Sequence, residues 1–362
     1  MKSGDCQTDA PVWVDSADSD WPARRGGPDP SILALRRCPI IESAWHATHQ
    51  LLSDAMVLLE RRLHETPVRT VAVSGSLGRM EKTAHSDLDL IVVLEDDAAG
   101  CDVLAEAAYA QVRQSLQSLG LCAPREDGIF ARSSSQATLC DPLRRGTIAE
   151  DPEVFGKRIQ WLLDCQPIYG FAAYDRLFDA VLDWYAVVTG DPLRDEPAGY
   201  LINDLLRYFR AICVDCQWRG RDDPGSWRLR NLKLLHTRLV SCGALLVSLG
   251  ASTRAGQKED WLRRQLRFTP LERLARVFQL HDQGGALSRI LERYERFLDF
   301  YGNPSLRAEL ITPGGPPEGA PSDHPLYRSL RDNANQIQDE LVRFVLARHG
   351  DWSDAFFRYL IL

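Results

Sequence analysis

Two short runs hold the side chains with the most chemistry to offer: Gly75-Ser76-Leu77-Gly78-Arg79-Met80-Glu81, and five residues further on Ser86-Asp87-Leu88-Asp89-Leu90. Side chains alternate along a strand, so an extended Asp87-Leu88-Asp89-Leu90 sends both aspartates to one face and both leucines into a core. Carboxylates two residues apart on a strand lie about 7 Å from each other and can share one or two hard cations, Mg²⁺ or alternatively Mn²⁺. Upstream, Gly75 has no side chain to keep a phosphate from the backbone. If Ser76 begins a helix, its amide, its hydroxyl and the helix N-terminus form an anion site. A phosphate-binding turn beside a divalent-cation clamp is the equipment for in-line attack on phosphorus.

Elements of the right type flank both runs. VRTVAVSGSLGR is a β-branched run punctuated by two glycines and reads as a strand and a turn, and about Leu88 to Leu94 reads as a second strand. Before them, apolar residues recur at helical spacing from Pro39 to about Glu65, and Pro67 stops the pattern. Leu104 to Leu119 reads as a helix ended by Gly120, Gly128 to Arg132 as a short strand, Phe155 to Leu163 as a helix and Asp164 to Tyr169 as a last strand. After about residue 172 strand signals give way to helical periodicity. The fold class expected is α+β, a small mixed sheet with helices followed by an all-α bundle. The divisions expected are a polar N-terminal arm over 1–35, the sheet domain over 36–172, a helical bundle over 173–312, a Pro/Gly linker over 313–325 and a terminal helix over 326–362 packed on the bundle.

Composition narrows the function. The 362 residues are 44% hydrophobic and 26% charged, which excludes a disordered or collagen-like chain. A net charge of −7 argues against a nucleic-acid binder that relies on bulk positive charge. No run of uncharged apolar residues comes near the length of a membrane helix, so neither nucleic acid nor membrane is an expected partner. The start lacks a secretory pattern, and nine scattered cysteines fit free thiols in a reducing cytoplasm.

The segment GSLGRMEKTAHSDLDL, with its Gly-Ser, its G-R-x-E (Gly78, Arg79, Glu81) and its S-D-x-D-L, resembles the signature of the DNA polymerase beta nucleotidyltransferase superfamily. It is most similar to the branch containing the uridylyltransferase of the nitrogen regulatory protein. DGIF (Asp127 to Phe130) and RIQWLLDCQPIYG (Arg158 to Gly170) extend the resemblance, although Gln166 stands where that family has an Arg. The resemblance implies an enzyme that moves a nucleoside monophosphate from an NTP to an acceptor hydroxyl, on a protein or a small molecule. It implies Mg²⁺ on Asp87 and Asp89, nucleotide contacts from Gly75, Ser76, Arg79 and Ser86, and a third carboxylate to orient the acceptor. Asp127, Asp141 and Asp164 are candidates for the last role, with Asp164 preferred for its place in the matching segment.

The helical half adds a local charge surplus. Between Leu205 and Val240 eight Arg and Lys oppose three Asp. A polyanion between two walls needs cations from both, which selects Arg207, Arg230 and Lys233. His85, in the loop before Asp87, is placed to meet substrate. The competing expectation is a scaffold that binds a nucleotide or a protein and transfers nothing, and a third carboxylate facing Asp87 and Asp89 is the feature that separates the two.

Overall fold

In the computed structural model, residues 28–34, 37–121, 128–145, 147, 149–186, 199–222, 224–254, 260–311 and 324–361 are described. Asp127, most of the expected N-terminal arm and most of the expected linker lie outside them.

Helix α1 (Pro39–Leu63) is the first α-helix among the described residues, with Pro39 at its first position. Cys38 offers no side-chain cap there, and the amides of Ile40 and Ile41 instead donate to Glu295 at 2.7 and 2.8 Å. A carboxylate from elsewhere in the fold thus satisfies amides that a helix start leaves unpaired. Strand β1 (Val68–Val73), the single turn α2 (Gly75–Gly78), β2 (Leu90–Leu94), α3 (Asp102–Leu116), β3 (Ser134–Ser135), α4 (Pro152–Leu163) and β4 (Gln166–Tyr169) follow. The sheet order is β3-β2-β1-β4, with β1 antiparallel to both neighbours and β3 parallel to β2. Two boundaries differ from the periodicity reading. Gly128 to Arg132 forms turns rather than a strand, and the third strand is Ser134–Ser135. The last strand starts at Gln166, leaving Asp164 as the C-cap of α4.

Both faces of the sheet are covered, and the two-residue period divides them. Val71, Val73, Leu90, Val92 and Leu94 pack with α1 and α3. Ala72, Ile91 and Val93 pack with the helices that follow the sheet, in one core that continues to Phe356. The rest of the chain is helical: α5 (Phe171–Tyr185), α6 (Gly199–Asp222), α7 (Trp227–Ser252), α8 (Pro270–Leu280), α9 (Gly284–Gly302), α10 (Pro304–Leu310), α11 (Pro325–Leu346) and α12 (Asp354–Ile361) are its main elements. The mixed sheet with a helical C-terminal part is the fold class the sequence indicates.

Helix α7 departs from expectation twice. It is long and apolar enough to cross a membrane, although 72% of its most apolar window is buried inside the fold, as befits a core helix. It also contains a π-helical turn at Leu234–Arg238.

Candidate active site

The glycine turn is built on a buried polar network. Ser74 ends β1, and its amide still pairs with the Asp89 carbonyl at 2.9 Å. Its hydroxyl donates to Asp164 Oδ1 at 2.7 Å and accepts from Gln160 Nε2 at 2.6 Å. Gly75 follows with φ +66°, and a Cβ there would lie 2.4 Å from Asp89 Oδ2. Glycine is therefore required twice, for a left-handed backbone and for the close approach of a carboxylate. Ser76 Oγ reaches Ser86 Oγ at 2.9 Å, and Ser86 Oγ also accepts from the Thr83 amide at 2.9 Å, which ties the turn to the loop carrying the aspartates.

Strand β2 begins at Leu90 rather than Leu88, yet the alternation holds: Leu88 and Leu90 are buried while Asp87 and Asp89 remain partly accessible. A narrow cleft is lined on this side by Gly75, Ser76, Arg79, Ser86, Asp87 and Asp89. The opposite wall carries Lys233, Thr237 and Arg238 from α7. No hydrogen bond or ion pair within the described residues reaches either aspartate carboxylate. Burial pushes the Asp89 carboxyl above its ordinary value, with Asp87 and Asp164 adding to the rise and Lys233 and Arg238 opposing it. Partly desolvated carboxylates without protein donors are groups that a cation can pair.

Asp164 is elsewhere. It is fully buried behind the turn, where Oδ1 accepts from Ser74, from Gln160 at 3.1 Å and from the Gly75 amide at 3.4 Å, and Oδ2 pairs with Arg79 Nη1 at 2.9 Å. Its lone pairs are used and it does not line the cleft, so it positions the turn and cannot orient an acceptor. The Gly75 amide is likewise turned inward to Asp164. Arg79 edges the cleft, but its guanidinium is 3% exposed and also binds Glu81 through Nε at 2.8 Å. Glu81 in turn accepts from Tyr294 Oη on α9 at 2.7 Å. Burial works against the Arg79 charge, but Glu81, Tyr294 and Asp164 outweigh it and raise its pKa. The chain Asp164–Arg79–Glu81–Tyr294 joins the turn to the helical part, and Arg79 braces the site from behind.

Of the three cations chosen from the helical half, the structure brings only Lys233 to the cleft. Arg207 is exposed, with its guanidinium 4.5 Å from the Phe155 ring centroid. Arg230 donates to the Arg219 carbonyl at 3.0 Å. Asp141 is partly exposed and caps the short helix after it through the Leu143 amide at 2.9 Å.

Arg238 and Thr237 take the places assigned to Arg207 and Arg230, and the π turn accounts for them. Hydrogen bonds from i to i+5 stack residues five apart, so Lys233 and Arg238 can face the same cleft, whereas in an α-helix they diverge. His236 fastens the turn: its Nδ1 lies 2.8 Å from the Leu232 carbonyl, Asn333 Nδ2 donates to its Nε2 at 3.1 Å, and its ring stacks on Phe297 at 4.1 Å. Phe297 and Tyr301 complete the cleft wall.

Residues 39–138 match the family described as "Putative nucleotidyltransferase DUF294". The matched segment runs from α1 past β3, so it holds the glycine turn and both aspartates, while Asp164 and the α7 wall lie beyond it. No curated protein matches the chain.

Among the described residues no group of three or more His, Cys, Asp or Glu is arranged to hold a metal. The donor set nonetheless fits Mg²⁺, which keeps several waters and commonly takes only one or two carboxylates together with substrate phosphates. Asp87 and Asp89 are the two that could supply them.

Proposed function

We propose that this cleft transfers a nucleoside monophosphate from an NTP to an acceptor hydroxyl with release of pyrophosphate. The observation that carries the proposal is the pairing, across one cleft, of two unpartnered carboxylates inside the segment that matches a putative nucleotidyltransferase family with a cationic wall from α7 beyond that segment. Asp87 and Asp89 would hold Mg²⁺, which when bound offsets phosphate charge and activates the attacking oxygen. Lys233 and Arg238 draw the triphosphate in and oppose the charge that builds on the departing pyrophosphate. Ser76 and Ser86 present hydroxyls at the glycine turn, and Thr237 a third from the opposite wall. The new bond joins the acceptor oxygen to the α-phosphorus, the bond to the pyrophosphate oxygen breaks, and the acceptor proton falls to an aspartate of the pair.

One observation favours a second reading, nucleotide binding without transfer. Glu81 and Asp164 are both committed to Arg79, so among the described residues lining or backing the cleft no third carboxylate is free to receive the acceptor. The two readings part in a single series. Wild type and Asp87→Asn are melted with each of the four NTPs, with and without Mg²⁺, and pyrophosphate release is followed in parallel. Ligand at ~100 times its Kd stabilises by about 2.7 kcal/mol, enough to detect. A Mg²⁺-dependent shift with one NTP, lost in the variant and accompanied by pyrophosphate release, supports transfer. The same shift without release across an acceptor screen supports the binding module, and no shift with any NTP refutes both.

A further inference from the structure

The geometry points to Gln160 as a positioning residue for the nucleotide: its buried amide holds Arg238 of the α7 wall against the glycine turn, and so sets where a triphosphate sits relative to Asp87 and Asp89. The nucleotide rests on the reading above, with or without transfer; the linkage is argued from the residues alone. Gln160 lies on α4 and is fully buried. Toward the glycine turn, its Nε2 donates to Ser74 Oγ at 2.6 Å and to Asp164 Oδ1 at 3.1 Å. Its Oε1 accepts from Tyr208 Oη of α6 at 3.2 Å and from Arg238 Nη1 of α7 at 3.3 Å. One amide thus joins the two walls of the cleft, because Gly75, which follows Ser74, and Arg238 both line it.

The residue type is dictated from both sides. Ser74 Oγ gives its own proton to Asp164, and a carboxylate paired with Arg79 only accepts, so the group facing them must donate. A guanidinium has no acceptor, so the group facing Arg238 must accept. A primary amide does both in one planar group. Glutamate would set a second carboxylate beside Asp164, and methionine, of similar volume, would leave Arg238 and Tyr208 without this partner. The bond to Gln160 employs one of the five guanidinium N–H groups of Arg238 and leaves others for phosphate oxygens. A long cation already held in place loses less conformational freedom when a ligand binds, which is the gain that a positioning residue supplies.

The test is a double-mutant cycle on the affinity of the full chain for a Mg²⁺–NTP, measured by calorimetric titration with the nucleotide that gives the largest melting shift. Arg238→Met should raise Kd about 10- to 100-fold, the loss expected for hydrogen bonds to a charged group. Gln160→Met alone should raise it about 10-fold, at the lower end of that range, although Gln160 does not line the cleft. In the Arg238→Met background the same change should move Kd by less than about 2-fold, because Gln160 acts through Arg238. Equal losses in the two backgrounds would make Gln160 a structural residue only and overturn the proposal, as would an unchanged Kd in folded Gln160→Met. Far-ultraviolet circular dichroism confirms that each variant is folded. If Gln160→Met is not, Tyr208→Phe takes its place in the cycle, since it removes one hydroxyl from the same amide. Its smaller rise, about 3- to 5-fold, should again vanish in the Arg238→Met background. Wild type that binds none of the four NTPs refutes the reading of the cleft and this role with it, whereas NTP binding with additive losses refutes the role of Gln160 alone.

Discussion

Two glycines with the same backbone angle offer a direct test of what the turn is for. Gly75 and Gly120 both sit at φ +66°, but a Cβ at Gly120 would meet nothing within 4 Å, whereas at Gly75 it would lie 2.4 Å from Asp89 Oδ2. Alanine at either position incurs the left-handed penalty of about 1–2 kcal/mol. At Gly75 the carboxylate must also retreat by about 1 Å to reach ordinary van der Waals contact. That retreat costs little stability, because no described hydrogen bond or ion pair fixes the Asp89 carboxylate. It should cost function heavily, since misplacing a catalytic group by about 1 Å lowers rates by about 10²-fold. Urea unfolding of Gly75→Ala and Gly120→Ala should therefore give equal losses within about 1 kcal/mol, each in the range set by the backbone term. Mn²⁺ binding in the presence of NTP, read as loss of the free-ion electron paramagnetic resonance signal, should fall only in Gly75→Ala, together with pyrophosphate release. Wild-type Mn²⁺ affinity in Gly75→Ala would show that the carboxylate facing Gly75 is not the metal ligand, and the site would have to be redrawn.

Other expectations follow from buried groups. Asp164→Asn leaves Arg79 with one carboxylate fewer at a site without solvent and should destabilise by about 3–5 kcal/mol in urea unfolding; unchanged stability with lost pyrophosphate release would return Asp164 to the chemistry. Gly78→Ala would set a Cβ 1.8 Å from the Asp164 carbonyl oxygen, a clash with backbone that no rotamer relieves, and the variant should fail to give a cooperative melt. Burial lowers the His236 pKa from 6.5 to about 4, so the folded protein favours the neutral ring. The stability this ring contributes is complete above pH 6.5 and is lost as pH falls toward 4. Against a His236→Phe variant, which keeps a ring for Phe297 but cannot gain the charge, wild type should lose about 3 kcal/mol across that interval, measured by urea unfolding at several pH values.

The elements nearest the chemistry were legible because local pattern and tertiary role coincide there. The β-branched run Val68–Val73 makes a strand in any context that buries it, and the alternation of Asp87 and Asp89 with Leu88 and Leu90 divides a polar cleft from a core whatever the exact start of β2. Ser134–Ser135 was missed because two residues give no periodicity, and the parallel pairing with β2 that makes them a strand is a long-range fact. Lys233 lines the cleft while Arg207 and Arg230 do not, a distinction that charge counting cannot make because it does not say which side of a helix faces a cleft.

Asp164 and Arg79 show a different limit. A carboxylate at the end of α4 and an arginine after the glycine turn look, by residue type, like an acceptor-orienting acid and a phosphate contact. In the fold they are each other's partner at 2.9 Å, with Asp164 0% and Arg79 4% exposed. A pair this deeply buried adds little net stability, but removing one member is costly, and its geometry fixes what touches it. Asp164 holds Ser74 and the Gly75 amide, and Arg79 reaches Tyr294 through Glu81, so the turn cannot shift without disturbing a helix of the opposite half. The G-R-x-E pattern is explained by that brace. If Arg79 touched phosphate directly, Arg79→Lys would change nucleotide affinity alone; as the centre of the brace, the same change should lower the melting temperature without ligand, because a point charge cannot bridge Glu81 and Asp164 as a planar fork does.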